Sequence, residues 1–368
     1  MARAAMTHRQ RIMARIDRQP VDREPWFPDL SYWHQVRTVQ GTVPAKYRGL
    51  DLPGLHRHPD IDAGLPRHVY GDFLKVSHRR AEIIKRDEGP DTVVTEYRTP
   101  AGTLTARARR GAAWESPFRV EYPVKTVEDF KVVEFLLRDR VVEPDFEAAR
   151  KLLGWVGEQG TCQMVLPRSP LPRIIHDYMG LTAGIFALLD SPDECQGLMA
   201  AVEESEQPAF EIVGRCPGRL TIFGDNVDSM SVSPDLYRRY SLPYYQRKCE
   251  FLHARGKTVL CHMDGRLRGL LPLVRDTGID ILDGITPEPM NDYGIAELAA
   301  ALGERQLAWA GVPASMFCAA ATRDEVRDYA RRLMDTLGDR LILNVGDQLP
   351  PNADISLVEA VSDLVNRG

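Results

Sequence analysis

The sequence predicts an α/β fold, a (β/α)8 TIM barrel with an N-terminal extension and a β-hairpin insertion, and three observations carry that expectation. After about Asp145, short apolar runs alternate with helical patterns, the rhythm of parallel strands joined by crossover helices. Six such strand–helix units are visible, and two more in the N-terminal part would complete the eight that close a barrel. No Gly-rich phosphate turn opens any of the helices, which disfavours a doubly wound sheet. Residues 1–368 are therefore read as one barrel domain, with 1–60 as an N-terminal helix and aromatic loop and 69–122 as a β-hairpin excursion.

Taken in chain order, Thr7 to Arg18 reads as an amphipathic helix with Ile12, Met13 and Ile16 on one side, ended by Pro20 and Pro25. The stretch from there to about Asp60 carries Trp26, Phe27, Tyr32, Trp33 and Tyr47 among prolines and glycines. Such a segment reads as a lid or a substrate-facing loop, or more plainly as rings that cap the barrel. "TVVTEYRTPAGTLTARARR" alternates apolar and polar residues around a Pro-Ala-Gly turn, a hairpin signature. The excursion is too short to bury a core of its own and is read as an insertion.

The later strands are expected at "CQMVLP" (162–167), "LTIFGD" (220–225), "TVLCHM" (258–263), "DILDGI" (280–285), "LAWAGV" (307–312) and "LILNVGD" (341–347). Helix starts are legible between them. Ser191 to Glu194 and Thr322 to Glu325 have the form of capping boxes, and Ser233 would cap a helix whose first turn begins with Pro234.

Composition narrows the function classes. Charged residues are 27% and hydrophobic ones 43%, ordinary for a globular chain, and the formal net charge is -5. There is no basic field to hold a phosphate backbone, so nucleic acid is not an expected partner. The chain has 39 Arg and 8 Lys, but the arginines are spread along it. Six cysteines (162, 195, 216, 249, 261, 318) show no C-x-x-C spacing and read as reduced, buried thiols of a cytoplasmic protein. The basic start lacks the apolar core of a secretory signal, and no uncharged run approaches the roughly 20 residues a membrane helix needs. A homodimer is possible for a barrel of this size, though no stripe marks a dimer face.

Barrel chemistry sits at the C-terminal ends of the strands. The polar residues there are Arg168, Asp225, Asn226, His262, Asp264, Asp283, Glu288, Asp347 and Gln348. Because side chains alternate along a strand, His262 and Asp264 share a face and Cys261 takes the other, where it packs. An imidazole with a carboxylate two residues on is a weak metal signal alone. Convergence of Asp225, Glu288 and Asp347 would strengthen it, since zinc accepts nitrogen and carboxylate oxygen; acid/base work is the alternative for the same groups.

The order of these motifs, from "LTIFGDNVDSMSVSPDLYRRY" through "KTVLCHMDGRLRG" and "DILDGITPEP" to "LAWAGVPASMF" and "LILNVGDQLPP", resembles the uroporphyrinogen decarboxylase superfamily. Within it, the chain is similar to the corrinoid-dependent methyltransferase branch more than to the decarboxylases. In the thiol-methylating members zinc is held by a His-x-Cys pair and a later Cys. By position His262 matches the histidine, Asp264 stands where the first cysteine would be, and Asp347 or its neighbour Gly346 falls near the second. The resemblance thus implies His262, Asp264 and Asp347 as metal ligands with zinc the expected ion; with the strand-end carboxylates added, the expected metal set is His262, Asp264, Glu288 and Asp347, and His262, Asp264 and Asp225 are the expected catalytic groups. Carboxylates in place of thiolates suit an oxygen-bearing substrate better than a thiol.

The implied function is transfer of a methyl group from a small methoxylated or N-methylated donor to a corrinoid (cobalamin) carried by a partner protein. Trp26, Tyr32, Trp33, Arg168, His176, Tyr178, Asn226 and Gln348 are the candidates for contacting substrate. Decarboxylation is the alternative; it needs an arginine-rich N-terminal motif for a polycarboxylate, whereas "PWFPDLSYWHQVRTVQG" offers only Arg37. A ligand-binding member that has lost its metal is the third reading.

Overall fold

The structure is a computed structural model that describes residues 5–69, 73–111, 118–318 and 321–367. It divides into two compact units: Met1–Tyr70, Glu147–Val165 and Pro217–Gly368 form the first, and Gly71–Phe146 and Leu166–Cys216 the second.

The first unit is built on seven parallel strands in the order Leu65–Val69, Gly160–Leu166, Leu220–Phe223, Thr258–His262, Ile281–Ile285, Leu307–Gly311 and Leu341–Asn344. All six strands expected after Asp145 are present, with bounds within three residues of those expected. The eighth place is taken by the segment around Trp26. Phe27 N–H donates to Leu343 O at 2.8 Å and Leu343 N–H to Pro25 O at 2.9 Å, while on the other side Gly64 N–H donates to Trp26 O at 2.8 Å. Residues 25–29 therefore hydrogen-bond to the last strand and to the residue that precedes the first, joining the two edges of the curled sheet in the manner of a TIM barrel.

Alternation along the strands separates an inner from an outer face. Leu220, Ile222, Leu260, Ile281, Leu307, Trp309 and Ile342 form one buried cluster with Phe27 and Ile12. Ile12 comes from the helix His8–Ile16, whose Met13 and Ile16 pack on the same cluster and whose first turn is closed by a Thr7–Gln10 capping box. The inner face thus runs Leu260 to His262 and Ile281 to Asp283. The outer face of the same strands, Val259 and Cys261, is fully buried.

The aromatic segment 26–33 is mostly core rather than lid. Trp26 and Trp33 are each about 1% exposed, and their indole N–H groups donate to Ser362 Oγ at 2.9 Å and Ala353 O at 3.1 Å. Tyr32 remains half-buried. Thr322 forms the expected capping box with Glu325, and Ser233 Oγ accepts from Leu236 N–H at 3.3 Å. Ser191 differs: at φ -139° and ψ 59° it makes no side-chain cap, although the helix Pro192–Arg215 starts directly after it, and its own N–H donates to Ala187 O of the preceding helix.

The second unit is larger than the hairpin read from the sequence. The expected pair, Thr92–Thr99 and Gly102–Arg109, is the centre of a four-stranded antiparallel sheet flanked by Glu82–Glu88 and Phe118–Glu121. A separate pair joins Leu74–His78 to Arg140–Pro144. The helix Phe130–Asp139 packs on the central strands and on the 24-residue helix Pro192–Arg215, burying Val94, Leu104, Val133 and Leu137. That helix ends where Arg140 turns to extended backbone and begins a strand, and its last residue, Asp139, accepts the Arg80 and Ala81 backbone N–H groups, both at 2.8 Å. No described helix is long and apolar enough to cross a membrane.

Candidate metal centre

His262 ends its strand on the inner face and is held from both sides. Its Nδ1 lies 2.8 Å from Asp283 Oδ2, and the two residues are register partners on adjacent strands. A carboxylate so placed accepts a hydrogen bond from Nδ1–H and leaves Nε2 to face the other way. There, Nε2 is 3.7 Å from Asp264 Oδ2 and 3.9 Å from Asp347 Oδ1. His262, Asp264 and Asp347 offer three donor atoms that all lie within 4.8 Å of one another.

Local backbone explains each placement. Asp264 follows the strand end, where Asn226 Nδ2 donates to its Oδ2 at 3.2 Å; Asn226 sits at φ 50°, a conformation an asparagine tolerates. Asp347 follows Gly346, whose N–H is accepted by Asn344 Oδ1 at 2.8 Å in a turn that needs φ 86°. Gly284, at φ 72°, lies against the imidazole: a Cβ there would stand 2.5 Å from His262 Cε1, so only glycine leaves the ring its place.

Electrostatics favour a cation. Burial alone would lower the His262 pKa, but the Asp264 and Asp283 carboxylates outweigh it and raise it well above the ordinary value. Burial raises Asp264, yet its bond to His262 leaves it below the usual range; Asp347 is pushed up by burial and by the nearby charges of Asp264, Asp283 and Asp29. Even with the imidazole protonated, three carboxylates leave the cluster net negative. Two donors bonded at about 2.1 Å to one ion stand at most about 4.2 Å apart, so the 3.7 and 3.9 Å separations let His262 Nε2 share an ion with Asp264 or with Asp347. One imidazole nitrogen with two carboxylate oxygens, and no thiolate, fits zinc or another divalent ion of intermediate hardness.

The remaining candidates fall elsewhere. Glu288 is not in the group: its carboxylate is more than half exposed and points to Arg268, 3.6 Å away. Asp225 is fully buried and accepts from Tyr245 OH at 2.6 Å, beside Tyr237 and Cys261. Cys261 is indeed a packed thiol, 3.9 Å from the same hydroxyl. Gln348 is exposed and pairs by backbone with Asp29. Asn226 serves Asp264, as described. Arg168, His176 and Tyr178 belong to the second unit, where Arg168 lies 3.8 Å from Asp177. Arg37 donates to Pro351 O at 2.7 Å.

Asp283 is the group that sequence reasoning underused. It stood among the strand-end residues, two places after the inward Ile281, but its partnership with His262 depends on a register that only the sheet reveals. Nearby, Gln163 is fully buried with neither amide atom hydrogen-bonded, and lines a cavity of about 20 Å3 with Asp283, Asn344 and Asp347. That volume holds about one water.

An α/β barrel whose strand ends converge on one histidine and several carboxylates is the class of protein these observations define. Residues 220–368, which include the whole cluster, match the family described as uroporphyrinogen decarboxylase (URO-D). Among solved structures, a methyltransferase from Methanosarcina mazei is 13% identical, with 98% of this chain and 99% of that chain covered and a TM-score of 0.63. A B12-independent methionine synthase from Shewanella sp. W3-18-1, in complex with selenomethionine, is 14% identical, with 80% of this chain and 77% of that chain covered and a TM-score of 0.44. No curated protein matches. The resemblance to the uroporphyrinogen decarboxylase superfamily is thereby borne out, and the Methanosarcina structure extends the likeness of fold to nearly the entire chain.

Proposed function

We propose that this protein is a metal-assisted methyltransferase that moves a methyl group from a small methoxylated or N-methylated donor to a corrinoid on a partner protein. The observation that carries the reading is the His262 Nε2 aimed at Asp264 and Asp347 while Nδ1 is fixed by Asp283. A divalent ion bound there would act as a Lewis acid, drawing charge from the oxygen that loses its methyl group. His262, Asp264 and Asp347 would hold it, Asp283 keeps the imidazole in the one tautomer that can ligate, and Asn226 fixes the rotation of Asp264. The carboxylate-rich donor set supports an oxygen-bearing donor over a thiol, and the similarity of fold to a methyltransferase supports the reaction class. The stretch that should hold an arginine-rich motif for a polycarboxylate has Arg37 alone, and its Nε–H donates to Pro351 O, which speaks against decarboxylation.

The test is to incubate the protein and zinc with cob(I)alamin and a panel of methoxylated and N-methylated compounds, and to follow the methylcob(III)alamin spectrum. Transfer from at least one donor, abolished in His262→Ala and Asp347→Ala, is expected. No transfer from any donor, together with turnover of uroporphyrinogen, would overturn the reading.

A further inference from the structure

The second unit contains a cavity of about 300 Å3 that the cluster described above does not explain. This size is at the lower end of small-molecule sites. Its walls include Leu104, Val133 and Leu137, each no more than 5% exposed, together with the rings of Tyr97 and Tyr178. Three guanidinium groups, Arg119, Arg140 and Arg173, line the same space.

These arginines are held in place before any ligand arrives. Glu206, fully buried on the helix Pro192–Arg215, accepts from Arg140 Nη1 at 2.6 Å and from Arg173 Nη1 at 2.7 Å. Arg119 Nη1 donates to Asp177 O at 2.6 Å. The Nε–H groups of Arg140 and Arg173 are nevertheless buried without an acceptor. Of the carboxylates, Asp177 lines the cavity and Glu206 is engaged behind it, so three guanidiniums face two acids and a positive charge is left over. Apolar walls with fixed, under-satisfied guanidinium forks match a ligand that has an apolar body and a planar anionic end.

We propose that this cavity is a binding site for a small amphipathic carboxylate. The carboxylate accepts from the arginine forks, and the aryl or short alkyl body displaces water from the leucine, valine and tyrosine surface. Tyr178, expected from the sequence to contact a substrate, belongs to this site. Arg168 supports it from behind, its guanidinium 3.8 Å from Asp177.

The test is calorimetric titration of the full chain with octanoate, octanamide and inorganic phosphate. Saturable binding of octanoate is expected, with octanamide and phosphate at least tenfold weaker. Arg119→Gln, which leaves the Glu206 pairs intact, should weaken octanoate at least tenfold, and Leu136→Trp, which fills the cavity, should abolish binding with an unchanged circular dichroism spectrum. Absence of octanoate binding, equal binding of octanamide or of phosphate, or binding indifferent to Arg119→Gln would each overturn the proposal. Should Leu136→Trp not fold, Arg119→Gln and the two control ligands decide it. The readout is binding, so its failure is distinct from failure of methyl transfer.

Discussion

Asp283 decides which nitrogen of His262 meets the cluster, and this makes it the most informative single side chain to change. Asp283→Asn should keep the fold and weaken zinc binding about 10–100-fold, measured by competition with a chromophoric chelator; unchanged affinity would remove Asp283 from the site. Gly284→Ala places a methyl against the imidazole at a left-handed φ. It should cost about 1–3 kcal/mol in urea unfolding and lower zinc affinity as well. A third residue has nothing to do with metal. His56 is fully buried and burial depresses its pKa from 6.5 to about 3. Between those values the unfolded chain binds a proton that the folded chain refuses, so stability present above 6.5 is lost as pH falls toward 3. The slope from this group reaches about 1.4 kcal/mol per pH unit, and unfolding free energies at successive pH values should be flatter in His56→Phe. At this scale the sequence was readable wherever alternation sufficed. Leu260 inward places His262 inward; the same rule, run from Ile222, sends Asp225 outward with Phe223, where the structure finds it, although Asp225 was expected among the catalytic groups. Glu288 could not be sorted that way, because it lies in a loop, and for Asp283 alternation gives the inward face but not the His262 partner, which depends on strand register.

Among the elements, the six parallel strands after Asp145 were legible because each is a short apolar run, whereas Leu65–Val69, with Arg67 and His68 inside it, was not. Helix starts were legible at Thr322, Ser233 and Ser191 alike, though the capping hydrogen bond forms only at the first two. Thr322→Ala should cost about 1 kcal/mol. The segment around Trp26 was misjudged as a loop since its extended conformation is imposed by neighbours distant in sequence and not by its own pattern. Trp26→Ala, which removes a fully buried ring and its bond to Ser362, should cost about 3–5 kcal/mol by denaturant titration. That is well above the loss expected at the exposed cap.

For the molecule as a whole, the barrel could be read from the sequence while the second unit could not. It is assembled from two separated stretches, Gly71–Phe146 and Leu166–Cys216, and only a fold that brings them together gives them a shared core. The pairing of Glu206 with Arg140 and Arg173 across those stretches is the ionic part of that core. Glu206→Gln leaves both guanidiniums without their counter-charge, and a loss of about 3–5 kcal/mol is expected. Hydrogen exchange should localise it: faster exchange along Pro192–Arg215 and Phe130–Asp139, with the strands from Thr258 to Asn344 still protected. Uniform acceleration across both units would show that they open together.

The short segment that joins the sheet's edges also sets a timetable. Trp26 meets Ser362 across 336 positions of sequence, and Phe27 pairs with Leu343. On the ribosome, the seat for residues 25–29 does not exist until almost the last strand has emerged, so the early apolar rings must wait, exposed, while the rest of the chain is made. The aromatic stretch near the start is therefore the part of this protein most in need of a chaperone's cover during synthesis.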